Sequence, residues 1–144
     1  MPSKHLNIIT IVHSISSVFR AVGIELSDRL VSLARDAVMR EQVSEQVTIL
    51  QQNGFTVDLS PAHVLTLYYL RRGVDLLKPK LLRDLKPGTR VISVKFPVPG
   101  WRPVRRVKMF EYYVHLYMMP PQLMSASEEA DMLREYKDLD DVGT

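Results

Sequence analysis

The sequence predicts an α/β fold: a three-layer arrangement around a largely parallel sheet, with an antiparallel member at one edge. Three observations lead there. Short apolar, β-branched runs at residues 21–26, 47–50, 63–70 and 89–96 alternate with stretches of helical spacing, the pattern of βαβ units. Caps and turn formers stand between them, at Ser27, Asn53-Gly54 and Lys86-Pro87-Gly88. The last strand candidates, residues 89–96 and 112–118, have no helix of normal length between them. Parallel neighbours need a long crossover, so that junction implies an antiparallel edge.

The first segment is ambiguous. Ile8, Ile11, Val12, Ile15, Val18 and Phe19 fall at helical spacing, while the β-branched content suits a strand. A strand at 6–12 would leave about eight residues before the next one, fewer than the dozen or so a parallel crossover requires, and this favours a helix. Residues 21–26 follow as a short buried strand. Ser27 is a good N-cap, and Leu30, Val31, Ala34, Ala37 and Val38 form an apolar stripe to about Arg40. Residues 47–50 form a short strand, and residues 63–70 have the apolar, β-branched and aromatic content of a central parallel strand. Pro79 fits the first turn of a helix, where its missing N–H costs nothing. Leu81, Leu82 and Leu85 are that helix's buried face. Residues 89–96 and the aromatic run 112–118 complete the sheet. Ser125 or Ser127 before Glu128-Glu129 starts a short C-terminal helix.

At 144 residues and 46% hydrophobic, the chain makes one small domain with enough apolar material for a core. No run of eighteen apolar residues suggests a membrane span, and no signal-peptide pattern is seen. Without cysteine there is no disulfide and no thiolate catalysis, and little basis for a zinc site. An intracellular, cytoplasmic protein is expected. The net charge of +3 divides unevenly: residues 128–141 carry seven acidic and two basic side chains, leaving +8 on the rest. A basic body favours acidic or nucleic-acid-associated partners, although solubility alone is sufficient to explain it and the charge signal is weak.

Glu25 ends a strand, after Gly23 and before a capped helix. In nucleotide-binding α/β folds a carboxylate there accepts hydrogen bonds from ribose hydroxyls, and a nearby glycine lets the backbone approach the ligand. A solvated helix-terminal charge is the plainer role for such a Glu. Asn53-Gly54 reads as a tight turn. The four histidines, His5, His13, His63 and His115, share no spacing typical of a triad or a metal site.

The segments AVGIELSDRLVSLAR, NGFTVDLSPAHVLTLYYL and LKPKLLRDLKPGTRVISVKFPVPGW resemble the second strand and helix, the third-to-fourth-strand region, and the fifth strand with its helix in class I, seven-strand S-adenosylmethionine-dependent methyltransferases. The similarity is greatest to the archaeal and mitochondrial protein-lysine methyltransferases and covers roughly residues 21–118. It implies a Rossmann-like sheet, S-adenosylmethionine as cofactor and a protein lysine as substrate. It also implies that Gly23, Glu25 and Asn53 bind cofactor, Glu25 through the ribose hydroxyls and Asn53 at the adenine amino group. Tyr68, Tyr69 and Trp101 would wall the site where the lysine amine meets the methyl group. By the period of two along a strand, one of the paired tyrosines faces the site and the other does not.

The family's first motif is an acidic residue followed by a glycine-rich loop at the end of the first strand. Here no glycine precedes Gly23. The first strand normally lies between the second and fourth, so its loss leaves a gap with unpaired edges. The N-terminal segment fills that gap, or a second copy covers it in a homo-oligomer, or the chain is truncated; the helical stripe at residues 8–19 favours truncation. The resulting expectation is a partial methyltransferase-like domain at 1–122 with an acidic tail at 123–144. The alternative to an active enzyme is an inactive domain serving as a binding or oligomerisation module.

Overall fold

A computed structural model describes residues 8–15 and 18–136. The strands are β1 (Ile8–Ile15), β2 (Val18–Glu25), β3 (Val47–Gln51), β4 (Val64–Tyr68), β5 (Arg90–Val94), β6 (Trp101–Arg102), β7 (Arg105–Met109), β8 (Tyr112–Met118) and β9 (Gln122–Leu123). The helices are α1 (Asp28–Arg40), α2 (Arg71–Asp84) and α3 (Ala126–Arg134). Seven strands form one sheet in the order β3-β2-β1-β4-β5-β8-β7, and β6 pairs with β9 in a small ribbon.

The largest departure from expectation is at the start. Residues 8–15 form a strand, not a helix, and β2 begins at Val18. β1 runs antiparallel to both neighbours, with Ile9 opposite Ile24 on one side and Leu67 on the other. An antiparallel pair needs only a tight connection, so the objection drawn from parallel crossover length does not apply. The gap between the second strand and β4 is closed by the chain itself, and the β-branched content outweighs the helical spacing.

β3, β4, β5 and β8 fall where the sequence places strands, whereas β6, β7 and β9 were not expected, and β7 takes the edge position expected for β8. β2 pairs parallel with β3, and β4 with β5. β8 runs antiparallel to β5, and β7 adds antiparallel to β8 at the edge. The two βαβ units step outward in opposite directions from β1. Their right-handed crossovers therefore place α1 and α2 on opposite faces of the sheet.

Ser27 caps α1 through a 3.4 Å bond from the Leu30 N–H, and Val31 is its buried residue. α2 corrects a second expectation: it starts at Arg71, with Pro79 in its interior and not in its first turn. Its apolar spacing of Val74, Leu77 and Leu81, all fully buried, outweighs the one backbone bond that Pro79 removes. Pro79 itself lies on the exposed side, where water can satisfy the freed carbonyl. Gly88, at φ +87, makes the turn into β5. α3 opens with a capping box between Ser125 and Glu128.

The core lies between α2 and the sheet. Leu65, Leu67, Val91 and Tyr117 from the strands pack with Val74, Leu77 and Leu81 and with Trp101 and Leu59. Trp101 meets the Tyr117 ring edge-on at 5.8 Å. Among the described residues no helix is long and apolar enough to cross a membrane.

Candidate functional site

The C-terminal ends of β2, β3, β4 and β5 point the same way, because β2 and β4 are both antiparallel to β1. They form one rim carrying Glu25, Gln51, Tyr68 and Val94, which is where parallel α/β sheets bind ligands.

Glu25 is the last residue of β2 and only 6% exposed. One carboxylate oxygen, Oε1, accepts from the backbone N–H of Leu26 at 2.8 Å and of Ser27 at 2.9 Å. These two bonds fix the side chain at the start of α1. The second oxygen, Oε2, is buried and has no hydrogen-bond partner among the described residues. A buried carboxylate oxygen without a donor is costly and calls for an explanation. Two vicinal ligand hydroxyls would supply the missing donors.

Around Glu25 the structure adds Gln51, Phe55 and Gly73, which the sequence did not suggest, to the expected Tyr69. The Gln51 side-chain amide donates to the Leu26 carbonyl at 3.3 Å and to the Asp28 carboxylate, tying the end of β3 to the start of α1. Tyr69 lies near enough to feel the Glu25 charge. Its hydroxyl is pushed up to about 12, first by burial and then by that carboxylate, so it acts as a neutral hydrogen-bonding group at ordinary pH. The Tyr69 ring packs edge-on against Phe55 at 5.9 Å. It also fills the space left by Gly73, where a Cβ would come within 2.8 Å of its Cδ1. No local pattern announces a glycine placed for a ring four residues earlier, although a lone Gly in a helical run is a hint.

The other expected residues fall as follows. Gly23 is buried beside Ile49, whose Cδ1 would lie 2.8 Å from an added Cβ. With Glu25, Leu30, Leu33, Ala34 and Ile49 it lines an apolar cavity of about 290 Å³ between α1 and the sheet. Asn53 is exposed, and its side-chain oxygen accepts from the Phe55 N–H at 2.9 Å, closing a turn. Tyr68 is 40% exposed on the rim and Tyr69 is 7% exposed. Trp101 is 1% exposed, so it can serve the site only as a support beneath the surface.

A second polar cluster lies behind the rim. His115, fully buried on β8, has Nδ1 3.1 Å from the Ser93 carbonyl and Nε2 against the Tyr136 hydroxyl. A carbonyl only accepts, so Nδ1 carries the proton and Tyr136 donates to Nε2. Arg106 donates to the Tyr136 oxygen at 3.4 Å and pairs with Glu135 at 3.0 Å. The His115 pKa falls to about 4: burial does most of this, the bond to Ser93 opposes it, and the Arg106 charge adds to it. The cluster fastens the end of α3 to β8, a structural role. Among the described residues no group of three or more potential metal ligands occurs.

Comparison with known proteins agrees with this geometry. A family profile described as the ANTKMT methyltransferase domain matches residues 8–105. A protein-lysine N-methyltransferase of Saccharolobus islandicus (strain REY15A) is 36% identical over 107 residues, covering 72% of this chain and 66% of the relative. The adenine nucleotide translocase lysine N-methyltransferase of Mus musculus is 34% identical over 100 residues, covering 66% of this chain and 44% of the relative. The chain thus spans just under two thirds of the first relative's length and less than half of the second's. Among solved structures, an RNA methyltransferase from Salinibacter ruber in complex with S-adenosyl-L-homocysteine superposes with a TM-score of 0.69 at 35% identity, covering 74% of this chain and 69% of that one. With the family profile matched over most of its length, the chain belongs to the ANTKMT methyltransferase-domain family.

Proposed function

We propose that the protein is an S-adenosylmethionine-dependent methyltransferase acting on a protein lysine. The observation that supports this best is the unpartnered, buried Oε2 of Glu25 at the end of β2. The residues present fit the ribose of the cofactor: Glu25 is fixed by two backbone bonds through one oxygen and offers the other to a hydroxyl pair. The matched relatives are named for lysine methylation and the superposed structure holds the demethylated form of this cofactor.

S-adenosylmethionine supplies an electrophilic methyl group on a sulfonium. The work left to the chain is positioning and the exclusion of water. Glu25 accepts from the ribose hydroxyls. Asn53, past the end of β3, would meet the adenine amino group through its side-chain oxygen, which already accepts from the Phe55 N–H and keeps a second lone pair for that contact. Tyr68 and the neutral Tyr69 line the approach of the lysine, with Trp101 supporting the wall from below. An apolar, aromatic wall keeps the incoming amine unprotonated by desolvation, so no general base is required.

Calorimetric titration with S-adenosylmethionine and S-adenosylhomocysteine tests the reading. Binding in the micromolar range is expected, and Glu25→Gln should weaken it about ten-fold or more, since hydrogen bonds to a charged group contribute ~1.5–3 kcal/mol. Absence of binding at millimolar ligand would overturn the proposal and leave a non-enzymatic domain.

A further inference from the structure

The rim is cationic beyond any need of the fold. Arg71 and Arg72 open α2, and both are exposed. The first turn of α2 has no acidic residue, and its N-cap, Leu70, makes no side-chain cap. Cations there face the positive end of the helix dipole, an unfavourable placement. Neither arginine has an ion-pair partner among the described residues. Lys95, one residue beyond β5, holds a left-handed backbone at φ 72 and lays its ammonium over the Phe96 ring at 5.3 Å, with no carboxylate partner among the described residues. Lys108, near the tip of the β7–β8 hairpin, has its ammonium 5.9 Å from the Tyr113 ring centre. Glu111 is the exposed acid of that hairpin tip.

The sheet register brings these residues to one edge. β4 and β5 are parallel neighbours, with Leu67 opposite Ser93, so Arg71 and Lys95 follow the ends of adjacent strands. Val94 pairs with Val114, and Met109 with Tyr112, which carries the hairpin tip past the end of β5. Apolar side chains lie among the cations: Leu70 is 41% exposed, Tyr68 40%, Met109 44% and Phe110 87%. Phe110 also adopts φ 56, a left-handed conformation unusual for an aromatic residue. Two cations against a helix dipole, together with strained Lys95 and Phe110, are local costs of the kind that collect at functional sites.

Resting on the methyltransferase reading above, we infer that this rim selects a protein segment in which acidic and apolar residues flank the target lysine. The four cations would pair with the flanking carboxylates, and Leu70, Met109 and Phe110 would cover the aliphatic ones. Leu70 and Met109 suit aliphatic side chains of a peptide, whereas the exposed rings of Tyr68 and Phe110 could equally stack on a base, so an RNA ligand is the competing outcome of the test.

Fluorescence anisotropy of end-labelled peptides with one central lysine tests the rim separately from catalysis. The flanks are aspartate, serine or arginine alternating with leucine, and binding is measured on the full chain with and without S-adenosylhomocysteine. The aspartate peptide is expected to bind about ten-fold tighter than the serine peptide at low salt, a gap that narrows as screening shortens the interaction range. Arg71→Ser/Arg72→Ser should bring the ratio toward one. Methyl transfer to the same peptides is followed by mass spectrometry. Aspartate preference in both assays supports the inference. Aspartate preference in binding without transfer supports the rim and overturns the enzymatic reading. Equal binding of the three peptides overturns the inference whatever the transfer result, as does a single-stranded RNA oligonucleotide that binds more tightly than the aspartate peptide.

Discussion

The two faces of the sheet are built to different standards. On the α2 face, Leu65, Leu67, Val74, Leu77, Leu81, Val91 and Tyr117 are all fully buried. On the α1 face the helix buries Val31 alone; Leu33, which lines the apolar cavity, is 53% exposed, and Leu26 and Met39 are 61% and 73% exposed. Glu25, held at the N-terminal end of α1 with a spare oxygen, belongs to the looser side. The tight face carries the stability, which leaves the other free to keep a buried polar atom unsatisfied until a ligand arrives.

Removing matched leucines from the two faces gives the largest expected contrast. Leu77→Ala leaves a cavity in a closed core and should destabilise by about 2–5 kcal/mol in urea or guanidinium unfolding. Leu33→Ala removes a side chain that is 53% exposed and should stay within about 0.5 kcal/mol. Equal losses would erase the distinction between the faces.

Acid should weaken the tight face first. His115 has a folded pKa of about 4 against 6.5 for an ordinary histidine, so the unfolded chain takes up its proton first as pH falls. Its contribution is complete above about pH 6.5 and is lost as pH drops toward 4, in total on the order of 3 kcal/mol. Unfolding curves measured across that window should show stability falling with pH, and His115→Gln should flatten the dependence. Tyr136→Phe should act through the same cluster: it leaves His115 Nε2 buried without a donor, at a cost of ~1–3 kcal/mol.

The contrast between the faces bears on what the sequence made legible. The capped helix at Ser27, the strands β3, β4, β5 and β8, and the capping box at Ser125 depend on local signals and were readable. Glu25 stood out for the same reason, as a carboxylate between a strand and a cap. β1 was not readable because Ile8, Ile11, Val12 and Ile15 satisfy a helical period and a β propensity at once. A strand paired on both sides decides between them only through its neighbours. Pro79 misled because a proline is a strong local signal, and the burial of Val74, Leu77 and Leu81 that outweighs it is a property of the whole fold. The Phe55–Tyr69 packing and the Ser93–His115–Tyr136–Arg106 chain join residues from separate elements, and no spacing rule finds them; Gly73 beneath Tyr69 left only the hint of a lone glycine in a helical run.

The smallest effect sharpens the same comparison at a single position. α1 and α3 each begin with a serine that accepts a backbone N–H, whereas α2, whose start lies on the rim, begins with Leu70 and no cap. Leu70 already has the extended backbone a cap requires, at φ −63 and ψ 157, and it is 41% exposed, so a polar replacement gives up little burial. Leu70→Ser should therefore stabilise the protein by about 0.5–1 kcal/mol, seen as a rise of a few degrees in Tm. If that gain comes with weaker binding of acidic, leucine-containing peptides, the missing cap is a sacrifice of stability at a surface kept for substrate. If binding is unchanged, Leu70 has no part in recognition, and the apolar share of the rim narrows to Tyr68, Met109 and Phe110.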